Sequence, residues 1–105
     1  MIVGVPAETK SGETRVALTP AGVHALVARG HEVVIEPGAG ERAAIGDDAF
    51  VAAGARLASG PEAWAAELVL KVKEPQPEEF PLLTSGTLFT FLHLAANPAL
   101  ARALR

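Results

Sequence analysis

Short β-branched runs alternate along this chain with alanine-rich segments of helical spacing, and that alternation limits the fold more than any other feature. Ile2-Val3-Gly4-Val5 reads as a first strand closed by Pro6, and Glu32 to Glu36 as a second. Ala55-Arg56-Leu57 reads as a short third, Leu68 to Val72 as a fourth, and Thr87 to Leu92, after Gly86, as a fifth. Thr19-Pro20 opens a helix, with Thr as N-cap and Pro at the first helical position. Val23, Leu26 and Val27 share its inner face, and Gly30 ends it. Asp47-Asp48 starts a short helix with Phe50 and Val51 inside and Gly54 as its stop. Gly60-Pro61-Glu62 starts another through Trp64, and Pro77 to Phe80 forms one or two turns. Asn97-Pro98 caps a last helix running to Arg105. Strands that are nearly all apolar, separated by helices, predict a parallel sheet covered on both faces with right-handed crossovers. The expected class is α/β: a doubly wound, mostly parallel sheet with helices on both faces, Rossmann- or flavodoxin-like.

Composition narrows the function. The 105 residues make one domain, long enough to bury a core without disulfides or a structural zinc. There is no cysteine, which excludes a thiol nucleophile, a Cys₄ metal site and an iron–sulfur cluster. Net charge is −3 with nine Lys and Arg, and aromatics make up 5%, so nucleic acid is not an expected partner. No apolar run approaches the roughly 20 residues that span a bilayer, so no membrane partner is expected. The start, MIVGVPAETK, has no charged leader before an apolar stretch, and the expected location is cytoplasmic. The chain ends about two turns after the cap of its last helix, so it reads as the N-terminal part of a longer enzyme.

Gly38-Ala39-Gly40-Glu41-Arg42-Ala43 matches the G-x-G-x-x-G/A dinucleotide pattern and follows a strand. That pattern works by feeding a tight turn into a long helix whose N-terminus meets a pyrophosphate. Here Gly46 and Asp47 follow at once, and Pro37 removes a donor, so the segment reads as a connecting loop. Arg15, Lys73 and His93 are stronger candidates. Arg15 lies on the long polar loop after the first strand, Lys73 follows the fourth and His93 follows the fifth. In an open parallel sheet, all three belong to the C-terminal edge, where ligands bind. Each has a plainer reading: a solvated Arg, an exposed Lys with Lys71 as the edge-facing residue instead, and a packed His between Leu92 and Leu94. Together, a fork for a carboxylate, a point charge for a carbonyl oxygen and a proton carrier suit a small 2-oxo or 2-amino acid. Glu8 and Glu13 pair with Lys10 or Arg15 as loop structure, and Glu74 is placed to hold Lys73. Asp47-Asp48 and Glu78-Glu79 read as helix-start charges, and His24 and His31 as surface residues. No His, Asp or Glu spacing resembles a metal site.

Three stretches, Gly4-Val5-Pro6-Ala7-Glu8, Glu13 to Val23 and Gly30-His31-Glu32-Val33, resemble the N-terminal signature of the alanine dehydrogenase and pyridine-nucleotide transhydrogenase α-subunit family. Lys71-Val72-Lys73-Glu74-Pro75 and Phe89 to Ala96 are similar to two further blocks of it. His93 favours alanine dehydrogenase within the family. The resemblance implies NAD-dependent, reversible oxidative deamination of L-alanine to pyruvate and ammonia, by a homo-oligomer that is a hexamer in the family. It implies that Arg15 binds the substrate carboxylate, Lys73 contacts the substrate oxygen and His93 is the catalytic acid/base. It also implies that NAD is bound by a domain absent from this chain, and that the isolated chain is inactive. Two alternatives stay open: the N-terminal domain of a transhydrogenase α-type subunit, or a non-catalytic ligand-binding or oligomerisation fragment. A receiver-like module would need clustered acids after the first strand, where Pro6 and Ala7 stand.

Overall fold

The computed structural model describes residues 1–73, 75–82 and 87–89. Five strands, β1 (Ile2–Val5), β2 (Glu32–Ile35), β3 (Arg56–Leu57), β4 (Leu68–Leu70) and β5 (Thr87–Phe89), form one sheet in the order β3-β2-β1-β4-β5. Every pairing is parallel, with Val3 opposite Val33 and Leu68, and Leu70 opposite Phe89. The helices α1 (Pro20–Ala28), α2 (Asp47–Ala52) and α3 (Gly60–Trp64) fill the first three crossovers, and a 3₁₀ segment, Pro77–Leu82, fills the last. The order reverses between β1 and β4, which makes this the switch point of a doubly wound sheet.

Strand alternation assigns the two layers. Val3, Val5, Val33 and Ile35 pack with Val23 of α1 and Phe50 of α2 on one face. Val34 packs with Ala58 and Ala63 on the other, beside a cluster of Trp64, Ala66 and Val69. Gly4 points to this second face, where any Cβ would collide with the Ala63 carbonyl oxygen. The α3 backbone therefore sits directly on β1, and only glycine leaves room for it. Thr19 Oγ accepts the Gly22 N–H at 3.1 Å and Pro20 begins α1, as the sequence predicts.

Two expectations change. Val51 is not inside: it is 49% exposed, because α2 has six residues and only Phe50 reaches the core. The fourth strand stops at Leu70 instead of Val72. The N–H groups of Val72 and Lys73 turn away from the ladder to the Glu8 carboxylate, at 3.0 and 3.2 Å. The expected last helix, and residues 90–92 of the expected fifth strand, lie outside the described residues. Among the described residues, no helix is long and apolar enough to cross a membrane.

Candidate functional site

The loop after β1 runs from Pro6 to Leu18 and folds over the C-terminal ends of β1 and β4. Two acids on it do the organising. Glu8, with a side chain 4% exposed, takes the two N–H groups that end β4 and also meets Lys71 Nζ at 3.2 Å. Lys71 is buried and is shared with Glu79, whose carboxylate oxygens lie 3.1 and 3.3 Å from the ammonium. Glu79 also accepts the Gln76 N–H at 2.8 Å, and Lys71 lies 5.7 Å from the centre of the Trp64 ring. Burying an ammonium away from water is costly unless such partners surround it. The result is a fixed exit from β4 into Lys73. Glu79 stands in the first turn of the 3₁₀ segment, as the sequence predicts, and is in addition a buried ion-pair partner of Lys71.

Glu13 is the second organiser. Its oxygens accept Arg15 Nε and Nη2, both at 3.0 Å, in a side-on bidentate pair, and Oε2 also accepts the Arg15 main-chain N–H at 2.7 Å. Lys73 Nζ approaches Glu13 Oε1 at 4.0 Å. Arg42 donates to the Glu13 carbonyl oxygen at 3.3 Å from the 3₁₀ turn after β2. The Arg15 side chain and N–H hold the Glu13 carboxyl down at about 2, from an ordinary 4.5, with Lys73 adding to the same effect. Glu13 in turn raises the pKa of Arg15. The carboxylate is 4% exposed, whereas Arg15 remains 64% exposed and Lys73 37%. Both cations are thus anchored from below and open above. They border a cleft of about 410 Å³ with Lys10, Ser11 and Thr14, a volume suited to a small molecule.

Two of the three residues expected at this edge are therefore brought together, and Glu13 is what joins them. His93 lies outside the described residues, as does Glu74. The C-terminal end of β5 faces the same edge as that of β4, since Leu70 pairs with Phe89 in a parallel ladder. His24 is exposed, and His31 is half-buried with Nδ1 at 3.3 Å from the terminal amine. The pairing of Glu13 with Arg15 follows expectation, whereas Glu8 turns to Lys71. The sequence signal for the buried triad was a lysine inside an apolar strand, which implies a counter-ion. Arg42 carried no such signal.

The glycine pattern at 38–43 does not cradle a dinucleotide. Glu41–Ala43 is one 3₁₀ turn, too short to aim a helix end at a phosphate. A Cβ on Gly40 would meet Phe50 at 2.6 Å and the Ile45 carbonyl oxygen at 2.7 Å, so its smallness serves packing within the chain. Among the described residues, no group of three His, Asp or Glu could hold a metal ion.

Comparison with known proteins agrees with the fold. Residues 4–105 match the family described as "Alanine dehydrogenase/PNT, N-terminal domain". Alanine dehydrogenase from Mycobacterium tuberculosis (strain ATCC 25618 / H37Rv) is 57% identical over 99% of this chain and 29% of its own length. That of Bacillus subtilis (strain 168) is 51% identical over 100% of this chain and 28% of its own. A solved L-alanine dehydrogenase superposes with a TM-score of 0.96 at 47% identity, covering 99% of this chain and 29% of that one. A transhydrogenase from Sinorhizobium meliloti superposes at 0.91 with 31% identity, covering 99% and 32%. The chain spans less than a third of the length of these relatives. With its sheet order, its anchored cation pair and a family match across almost every residue, the chain belongs to the alanine dehydrogenase/PNT N-terminal domain family.

Proposed function

We propose that the chain is a single domain, the substrate-binding part of an NAD-dependent alanine dehydrogenase that interconverts L-alanine with pyruvate and ammonia. The observation that carries this reading is the meeting of Arg15 and Lys73 at one buried carboxylate beside the switch point. Arg15 takes the substrate carboxylate with its fork, and Lys73 hydrogen-bonds the 2-oxo oxygen, so the reacting carbon is held in one orientation. His93, assigned through the family resemblance, carries protons to and from the amino-bearing carbon's substituents. The glycine loop does not fit a dinucleotide, so the nicotinamide cofactor is assigned to a domain outside this chain. A cytoplasmic homo-oligomer belongs to the same proposal. Identities of 57 and 51% to alanine dehydrogenases, against 31% to the transhydrogenase, support this reading over a transhydrogenase subunit.

The test is a pyruvate titration of the isotope-labelled chain, followed by NMR at the amides of residues 13–15 and 71–73. Saturable shifts are expected there. Arg15→Lys keeps the charge but loses the fork, worth roughly 1.5–3 kcal/mol for a charged hydrogen bond, so affinity falls about tenfold or more. No shift in the wild-type chain, or equal affinity in Arg15→Lys, refutes the assignment.

A further inference from the structure

An acid at the centre of an anion site calls for a physical reason. Glu13 repels any carboxylate that approaches Arg15 and Lys73, and a site built only for affinity would omit it. Its surroundings show what it does instead. A guanidinium has two edges able to bind a carboxylate bidentately, one at Nε and Nη2 and one at Nη1 and Nη2. Glu13 fills the first, with both contacts at 3.0 Å. Glu13 is itself held at several points. Its N–H bonds the Lys10 carbonyl oxygen at 3.1 Å, its own carbonyl accepts Arg42, and Oε2 accepts the Arg15 N–H. Lys73, fixed through its main chain by Glu8, reaches the same carboxylate. The neighbouring acid Glu8 is occupied by Lys71 and two N–H groups and acts on Arg15 only through its charge, whereas Glu13 is the acid in direct contact with both Arg15 and Lys73.

We propose that Glu13 is a positioning and specificity residue: it occupies the inner edge of Arg15, draws in Lys73 and lowers the positive charge of the site by one, so that an incoming ligand meets only the outer Nη1/Nη2 edge of a site that favours a monocarboxylate over a dicarboxylate. This rests on the substrate-site reading given under Proposed function. The cleft carries three cations, Lys10, Arg15 and Lys73, and Glu13 offsets one of them with its negative charge. With its carboxyl held at about 2, Glu13 keeps that charge at any ordinary pH. The exposure of Arg15, 64% against 4% for Glu13, is what a fork held from behind requires.

The experiment compares pyruvate with malonate, a dianion of similar size, binding to the full chain and its variants. The wild-type chain binds pyruvate more tightly. In Glu13→Gln the inner edge of Arg15 loses its anion and the site gains a charge. Pyruvate affinity then falls about tenfold, the size of one charged hydrogen bond, while malonate affinity rises. The ratio of the two dissociation constants thus shifts at least tenfold toward malonate. The side-chain Nε–H signal of Arg15, protected from exchange in the wild type, also loses its protection. Glu13→Asp keeps the charge and shortens the reach, so pyruvate weakens while the preference over malonate stays; this variant decides the matter if Glu13→Gln does not fold. Equal weakening of both ligands, or an unchanged ratio in Glu13→Gln, overturns the proposal and leaves the substrate site standing. A wild-type chain that binds no pyruvate overturns the substrate site instead.

Discussion

Replacing Lys71 by Met would leave two carboxylates facing each other in the interior. In the wild type the ammonium lies 3.2 Å from Glu8 and 3.1 Å from Glu79, and all three side chains are at most 4% exposed. Removing one partner of a buried ion pair costs about 3–5 kcal/mol, because the charge left behind has neither water nor counter-ion. The lower end applies here. Glu8 keeps the N–H groups of Val72 and Lys73, and Glu79 keeps that of Gln76. A loss of about 3 kcal/mol, with a urea slope of about 1.5 kcal/mol per molar for a domain this small, moves the unfolding midpoint down by about 2 M. Trp64 is the only tryptophan in the chain and its ring lies 5.7 Å from Lys71 Nζ, so its fluorescence reports the transition and the site together. Lys71→Met combined with Glu79→Gln removes one orphaned charge and regains about half of the loss. A Lys71→Met midpoint within about 0.5 M of the wild type, at the same slope, would refute the buried triad.

Two further outcomes are expected. Gly4→Ala sets a methyl group against the Ala63 carbonyl and within 2.8 Å of the Ala66 Cβ, and lowers stability by about 3 kcal/mol, the upper range for overpacking against backbone; an unchanged urea midpoint would mean α3 is not seated on β1. The depressed carboxyl of Glu13 contributes stability that is fully present above about 4.5 and is lost as pH falls toward about 2, so across that window the wild type weakens more steeply than Glu13→Gln, and parallel pH profiles would contradict the bidentate pair.

What was legible in the sequence was local or topological. The apolar runs at 2–5, 32–35 and 68–70 became β1, β2 and β4, and Thr19-Pro20 capped α1, because each depends on neighbours a few residues away. Arg15 and Lys73 could be placed on one edge from strand order alone, since the ends of parallel strands converge. The differences come from contacts and short elements that periodicity does not resolve. The fourth strand ends two residues before its apolar run does because the carboxylate that stops it, Glu8, lies 64 residues from Val72. Glu79 reads as a helix-start charge and does stand in the first turn of its segment, but its ion pair with Lys71, eight residues earlier, is a side-chain contact that the spacing does not show. The spacing puts Val51 inside although it faces out, because a period of 3.6 is poorly defined over six residues.

The Glu8 contact also bears on the order in which the molecule assembles. Bringing Glu8 to Val72 and Lys73 closes a stretch of 64 or 65 residues, an entropic cost of about 4 kcal/mol before any constant term. Pairing of β1 with β4 closes nearly the same stretch, since Val3 lies opposite Leu68. The two closures are one event, so once the central strands dock, the loop gains its anchor with no further loss of chain freedom. The ligand edge then cannot mature ahead of the sheet, and it cannot melt without loosening β4. Amide protons of Val72 and Lys73 should therefore exchange in step with those of the central strands, as one cooperative unit, despite lying outside the strand ladder.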